Sequence, residues 1–370
     1  MLLSDLLHSK LLVTPLDASI TFHDDPLRVL RAIRFAVRYS LTLSEEIVNA
    51  AQSPEVHQSL HVKISRERIG KELEGMMTGK NARPCIALKY ITDLKLAGCV
   101  FEFPHDESLT IHGNLHGINY GDCDDPVSLS NAREMAWLES TSMVRCTTIV
   151  LESFHNFFPQ KDTEKTGVDS RILYLASFLH PLRMMMVSDS RGKQQPLPSF
   201  IVRESIKFKN KDIQAVTAIL SNVDEMRNVL MRNGTDYDFC RLQVGLVLRN
   251  LKDQWVTTLL VASIAEIQSQ EENTEYTEHI ITRTKHLYST IQRNDLDGCW
   301  KVRPLLDGKD ILHRLDLPRG PAIAPYIDAQ IRWMLLNPKG HKDDLIVHLK
   351  RKRDLESVEN TVPMMNTSEK

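Results

Sequence analysis

The sequence predicts an all-α protein. Apolar residues recur at helical spacing over most of the 370 residues. Capping residues mark helix starts at Asp24-Asp25-Pro26, Ser44 and Ser65. Breakers such as Pro54, Gly79 and Gly98 fall between the periodic runs. The first of these starts heads the most informative stretch, Thr21 to Ala36. Asp24 and Asp25 are placed to cap the free N–H groups of a first turn and favour its positive dipole end, and Pro26 stands where a missing N–H costs nothing. From there Val29, Leu30, Ile33 and Val37 form an apolar stripe, while Arg28, Arg31, Arg34 and Arg38 share about a third of the circumference beside it. One face packs, and the other presents guanidinium groups, either as a solvated face or as a binding surface.

Asp25 and Arg28 sharpen that choice. Residues three apart on a helix point the same way, so a carboxylate acceptor and a forked donor stand together at the helix entrance. Cytosine and adenine each place an amino donor beside a ring-nitrogen acceptor, an edge that such a pair satisfies, whereas uracil and guanine present a carbonyl beside an N–H. The competing explanation is an ordinary capping aspartate with an arginine salt bridge.

Thr14-Pro15-Leu16-Asp17, Thr21-Phe22, the run Asp24 to Ala32, and Arg34-Phe35-Ala36 resemble the class II CCA-adding tRNA nucleotidyltransferases of eukaryotic type. Asp24-Asp25-Pro26-Leu27-Arg28 is similar to the family's base-selecting motif, an acidic pair followed by two residues and an arginine. The resemblance implies that Asp25 and Arg28, with Asp24 beside them, pair with CTP or ATP where no nucleic-acid template exists. Ile64 to Leu73 resembles the next family motif. Arg66 and Arg68 there, like Arg31 and Arg34, are implied either to brace the base-reading helix or to meet RNA. Gly308 to Pro321 resembles the family's tail motif, followed by a helix with Ile327, Ile331, Trp333 and Leu335. Arg314, Arg319, Arg332, Lys339 and Lys342 are then candidates for contacts to the tRNA backbone, which position without reading sequence.

The implied activity is addition of C, C and A to the tRNA 3′ end from CTP and ATP, with Mg2+ as the family's cofactor and tRNA as partner. Family members open with a head in which a Gly-Ser pair holds the triphosphate and strand aspartates hold metal, because nucleotidyl transfer needs charge stabilisation at the 3′ hydroxyl and the leaving pyrophosphate. This sequence contains no Gly-Ser dipeptide. Its Asp-x-Asp patterns, 122–124, 236–238 and 295–297, lie in turn-rich or helical surroundings and read as surface pairs. The expectation is therefore helical neck, body and tail domains with no complete nucleotidyltransferase head, which a separate or missing segment would supply. No residue is assigned as catalytic or metal-binding, and the chain by itself is expected to be inactive.

Composition agrees with a globular protein of two or three domains: 42% of residues are hydrophobic and 25% charged. A formal net charge of −2 excludes a wholesale nucleic-acid coat, so RNA contacts come from local patches. The six cysteines have neither paired zinc spacing nor a dense framework and read as reduced thiols in an intracellular protein. No apolar run reaches the roughly 18 residues of a membrane span, and the start lacks a signal peptide's order. Cytoplasm or nucleus is expected, or an organelle (mitochondrion or plastid) if a targeting segment lies upstream.

Along the chain, residues 1–20 read as a junction between head and neck, and 21–105 as the base- and RNA-binding neck. A helix from Pro84 to Leu94 is closed by Gly98, and residues 100–104 leave this first block. Residues 106–131 are turn-rich and acidic and read as a loop. Periodicity from Ala132 to about 300 gives a helical body, in which Pro181 after His180 removes the second ligand of a His-Asp hydrolase motif. Residues 301–349 form the tRNA-binding tail, and 350–370 a disordered end whose Lys350-Arg351-Lys352-Arg353 is either a nuclear address or a frayed helix end. Two readings compete with the enzyme: a catalytically inactive RNA-binding or regulatory protein, and a helical interaction scaffold.

Overall fold

Short helices joined by tight caps build the N-terminal part of the protein. The computed structural model describes residues 10–155, 157, 168–233, 239–317 and 323–359. Helix α1 (Ala18–Asp24) is capped by Asp17, which accepts from the Ile20 N–H. Helix α2 (Leu27–Tyr39) follows after two residues and ends at Ser40 in the left-handed region. A two-residue parallel pair, β1 (Leu11–Leu12) with β2 (Thr42–Leu43), flanks them. Then come α3 (Glu45–Ala51), α4 (Pro54–Lys63), α5 (Arg66–Met77), α6 (Pro84–Asp93) and the single turn α7 (Ala97–Val100).

The stripe Val29, Leu30, Ile33 and Val37 is buried as its spacing predicts, and α2 packs on α5 and α6. Gly70 on α5 is required by proximity: a Cβ there would stand 2.0 Å from the Ile206 carbonyl oxygen. Gly98 does not close the helix from Pro84, since it lies inside α7. That helix ends at Leu94 with Lys95 in the left-handed region.

The expectation of an all-α chain is corrected between 106 and 131 and again near 190. Strands β3 (Thr110–Leu115) and β4 (Ile118–Tyr120) form a hairpin, and β3 pairs on its other edge with β5 (Met186–Ser188), which pairs with β6 (Gln194–Pro196). Strands of three to six residues are too short to register as alternation. The hairpin loop His116-Gly117, with both residues at positive φ, carries the turn signal instead. The acidic run ends as a cap: Asp125 accepts from the Val127 and Ser128 N–H groups and starts α8 (Pro126–Phe154), six residues before the predicted resumption at Ala132.

Helix α8 packs against α6, α9 (Ser170–Leu179) and α13 (Trp255–Ser269). Phe101 and Phe103 are core residues, with Phe101 4.7 Å from the Phe178 ring and both against Trp137. The remaining helices are α10 (Leu197–Phe200), α11 (Asn210–Asn233), α12 (Arg241–Leu251), α14 (Thr274–Arg293), α15 (Gly308–Leu315), α16 (Ala324–Leu336) and α17 (Lys342–Glu359).

By contact the chain divides into two discontinuous units, Met1–Leu230 with Gln254–Lys285, and Met231–Asp253 with His286–Lys370. In the second unit, Leu306, Ile311, Leu315, Tyr326, Leu345 and Leu349 form a core among α15, α16 and α17. The basic run 350–353, expected to begin a disordered end, is helical because α17 continues through it, and Arg353 donates to the Leu315 carbonyl at 2.9 Å. Residues 360–370 lie outside the described residues.

Candidate functional site

The junction between α1 and α2 holds the predicted base-reading pair, although not by the cap the sequence suggests. Asp24 is the last residue of α1, and Asp25 is that helix's extended C-cap, with its carboxylate turned to accept from the Leu27 N–H at 3.2 Å. The other Asp25 oxygen lies 3.3 Å from Arg68 Nη2. Arg28, half exposed on α2's first turn, donates to the Thr21 carbonyl at 3.2 Å and sits 3.9 Å from Asp24. Asp25 therefore pairs with Arg68 rather than with Arg28, and each of the two side chains is oriented by its own neighbour. A carboxylate acceptor and a guanidinium donor, both partly open to solvent, stand on one short segment.

The other arginines of the stripe turn inward to α5. Arg31 Nε and Arg34 Nε meet the two oxygens of Glu72 at 3.2 and 3.3 Å, and Arg38 donates to the carbonyls of Gly75 and Thr78. Glu72 is buried, so two half-open arginines neutralise one carboxylate across the α2–α5 contact. Arg66 is committed to the interior: it donates to the carbonyls of Ser205, Cys99 and Val100 at 2.6–2.9 Å and pairs with Glu102 at 3.1 Å. Burial lowers its pKa against the pull of Glu102. These contacts engage all three guanidinium nitrogens with the interior, which suits a brace rather than a phosphate contact.

In the second unit, Arg314 lines an open cleft of about 660 Å³ with Lys309, His313 and Lys350, beside Asp307 and Asp310. Lys339 borders another cleft, of about 550 Å³, whose Arg241 and Arg249 are tied to the carbonyls of Leu335, Asn294 and Cys299. Arg332 and Lys342 pair with Asp328 and Asp310. Arg319 and the 236–238 pattern lie outside the described residues.

Sequence reasoning passed over two features. One is Glu72, for which the signal was an acid at a core position of the helix from Ser65. The other is a cluster of His61, Glu102 and His105, which the 40 residues between His61 and Glu102 conceal.

Mg2+ needs oxygen ligands in near-octahedral array. Asp122, Asp124, Asp295 and Asp297 are exposed, Asp122 accepts from Asn119, and Asp297 accepts from Gln292. Among the described residues the one compact ligand group is the histidine-rich cluster, so the described residues do not fit a catalytic magnesium. His180 is a buried histidine that burial pushes down to about 3, a neutral core residue beside Pro181.

Comparison with known proteins gives this geometry its context. No protein-family model matches the sequence. The "CCA tRNA nucleotidyltransferase, mitochondrial" of Saccharomyces cerevisiae is 28% identical over 351 residues, 93% of this chain and 62% of that protein. The "tRNA nucleotidyltransferase cca2" of Schizosaccharomyces pombe is 26% identical over 351 residues, 93% of this chain and 63% of its own length. The chain is thus similar to proteins named CCA tRNA nucleotidyltransferase over most of its own length. It spans less than two thirds of the length of those two proteins. A segment of 71 residues is also 49% identical to "Nucleotidyltransferase lcsQ" of Purpureocillium lilacinum, covering 19% of this chain and 12% of that one.

Among solved structures, a CCA-adding enzyme in complex with CTP superposes with TM-score 0.52 at 13% identity, over 96% of this chain and 65% of that one. The Bacillus stearothermophilus CCA-adding enzyme in complex with CTP gives 0.50 at 16% identity, over 96% and 68%. At such identity the likeness speaks for the fold. The helical fold of this chain is the one found in CCA-adding enzymes.

Proposed function

We propose that this chain carries the base-selecting and tRNA-holding part of a CCA tRNA nucleotidyltransferase, acting in addition of C, C and A to tRNA 3′ ends from CTP and ATP. The observation that carries the reading is the α1–α2 junction. There Asp25 and Arg28 are each fixed by a different neighbour, so an acceptor and a donor are pre-oriented for the amino and ring-nitrogen groups of cytosine or adenine. Arg68 acts through Asp25 as a positioning residue, and Arg31, Arg34 and Arg66 hold the helices that present the pair. Arg314 and Lys339, with Arg319, are proposed to meet tRNA phosphates. Metal-dependent phosphoryl chemistry is assigned to no residue of this chain, so a head, on the same chain or another, has to supply it. The relatives named mitochondrial support an intracellular setting, an organelle included. The clefts around Arg314 and Lys339 equally support an RNA-binding protein without polymerisation, and the same experiment separates the two.

With the chain joined to a nucleotidyltransferase head from a relative, Asp25→Ala and Arg28→Ala each remove one base contact. Incorporation of U or G relative to C and A is expected to rise by the equivalent of about 1–3 kcal/mol of lost discrimination. Arg34→Ala is expected to leave base choice unchanged. Equal loss for all four nucleotides in the Asp25 and Arg28 variants would refute base reading, and no incorporation by the joined wild-type chain would favour the RNA-binding reading.

A further inference from the structure

We propose that His61, Glu102 and His105 form a zinc site that ties α4 to the segment following α7. One ligand atom from each residue lies within 4.8 Å of the other two. Both imidazoles converge on a single oxygen: His61 Nδ1 contacts Glu102 Oε1, and His105 Nε2 lies 2.7 Å from it. The two rings stand edge to face with centroids 4.8 Å apart. A tetrahedral Zn2+ with bonds of about 2.0–2.1 Å holds its ligand atoms roughly 3.3 Å apart. Small rotations of the two exposed imidazoles reach that spacing, and water completes the coordination.

The donor set names the metal. Two imidazole nitrogens with one carboxylate oxygen suit zinc and its neighbours in the first transition row, while calcium and magnesium ask for oxygen alone. The carboxylate is held for the task. Glu102 is largely buried, and its second oxygen is paired with Arg66 at 3.1 Å, a guanidinium itself fixed by three carbonyls. A ligand anchored in this way through its far oxygen is the usual arrangement behind metal-binding carboxylates. The nearby positive charge lowers affinity, so binding belongs in the micromolar range rather than at the strength of a four-ligand structural site. The consequence is local: the metal would lock Glu102, through it Arg66, and through Arg66 the start of α5, which carries Arg68 and Glu72.

The test uses the full chain free of any histidine tag, with zinc chloride as the only added ligand. Equilibrium dialysis is expected to show one zinc per chain in the micromolar range. Binding should weaken by tenfold or more, about the least that loss of a metal-site partner costs, in His61→Ala and in His105→Ala. Both side chains are exposed, so neither variant threatens the fold. Zinc should raise the Tm of the wild-type chain and leave that of both variants in place, and cobalt should give a visible absorption band only in the wild type. Absence of zinc binding to the wild-type chain, or equal binding by all three proteins, would overturn the site and leave two histidines hydrogen-bonded to a carboxylate.

Discussion

His180 shows how a single side chain's surroundings can replace its chemistry. Alone in the sequence it invites a catalytic or metal-binding reading, yet it is buried, its Nδ1 has no hydrogen-bond partner, and desolvation holds it down at about 3 despite the opposing influence of Asp224. Its folded pKa is depressed below the ordinary 6.5, so the unfolded chain takes up a proton first as pH falls. The stabilising effect of keeping this ring neutral is complete above about 6.5 and is lost progressively toward about 3. Denaturant unfolding across that window should therefore show a component of about 1.4 kcal/mol per pH unit that His180→Gln lacks. Identical pH slopes for the two proteins would mean that this histidine takes up its proton at the same pH folded as unfolded. The arginines teach the complementary lesson. Arg28 and Arg66 look alike as sequence, but one is half open beside Asp24 and the other has all three guanidinium nitrogens engaged with the interior.

At the level of elements, the α2–α5 contact is where the candidate site gains its rigidity. Arg31 and Arg34 converge on Glu72, and Gly70 lets α5 approach the Ile206 carbonyl. Glu72→Ala removes the carboxylate that two partly exposed arginines share. Solvent screening tempers that loss to about 1–2 kcal/mol of stability, below the cost of breaking a fully buried pair. Gly70→Ala puts a methyl group against backbone that cannot rotate away, and it is expected to cost more than Glu72→Ala. Chemical denaturation of the two variants checks that order, and the reverse order would show that the α5 backbone yields easily. How much of this was readable before the structure follows from the same contacts. The α2 stripe, the Ser44 cap and the α16 helix obey local rules, so spacing and caps sufficed. The four-stranded sheet was invisible because β3 and β5 pair across more than 70 residues, and short strands gain their stability from such partners rather than from their own pattern. Glu72 with its two arginines, and the His61–Glu102–His105 cluster, escaped for the same reason: their meaning arises only when distant helices meet.

For the molecule as a whole, the balance of charge decides how it can hold RNA. A net charge of −2 gives no general attraction to a polyanion, and many basic side chains are already committed to internal carbonyls or carboxylates, as Arg66, Arg241, Arg249 and Arg171 show. Other cations stay exposed to solvent, among them Arg28, Arg314, Lys339 and Lys350. If about four of these contact phosphates, log K should fall against log salt with a slope of roughly −3 to −4, an affinity loss of about 60- to 250-fold between 50 and 200 mM salt. Filter binding of tRNA to the full chain over that range measures the slope directly. Arg314→Ala and Lys339→Ala should each reduce the slope by about one without altering which tRNA is preferred, since phosphate contacts position and do not read. In the same tubes, with CTP, ATP and magnesium added, no labelled nucleotide is expected to join the tRNA, because the described carboxylates are exposed singly or committed to neighbours and do not fit the metal that nucleotidyl transfer requires. A slope near zero would reject the phosphate clefts as the binding surface, and incorporation above a protein-free control would reject the assignment of chemistry to a separate head. Modest, salt-dependent binding without incorporation is the outcome that the committed arginines, the exposed tail cations and the scattered aspartates together require.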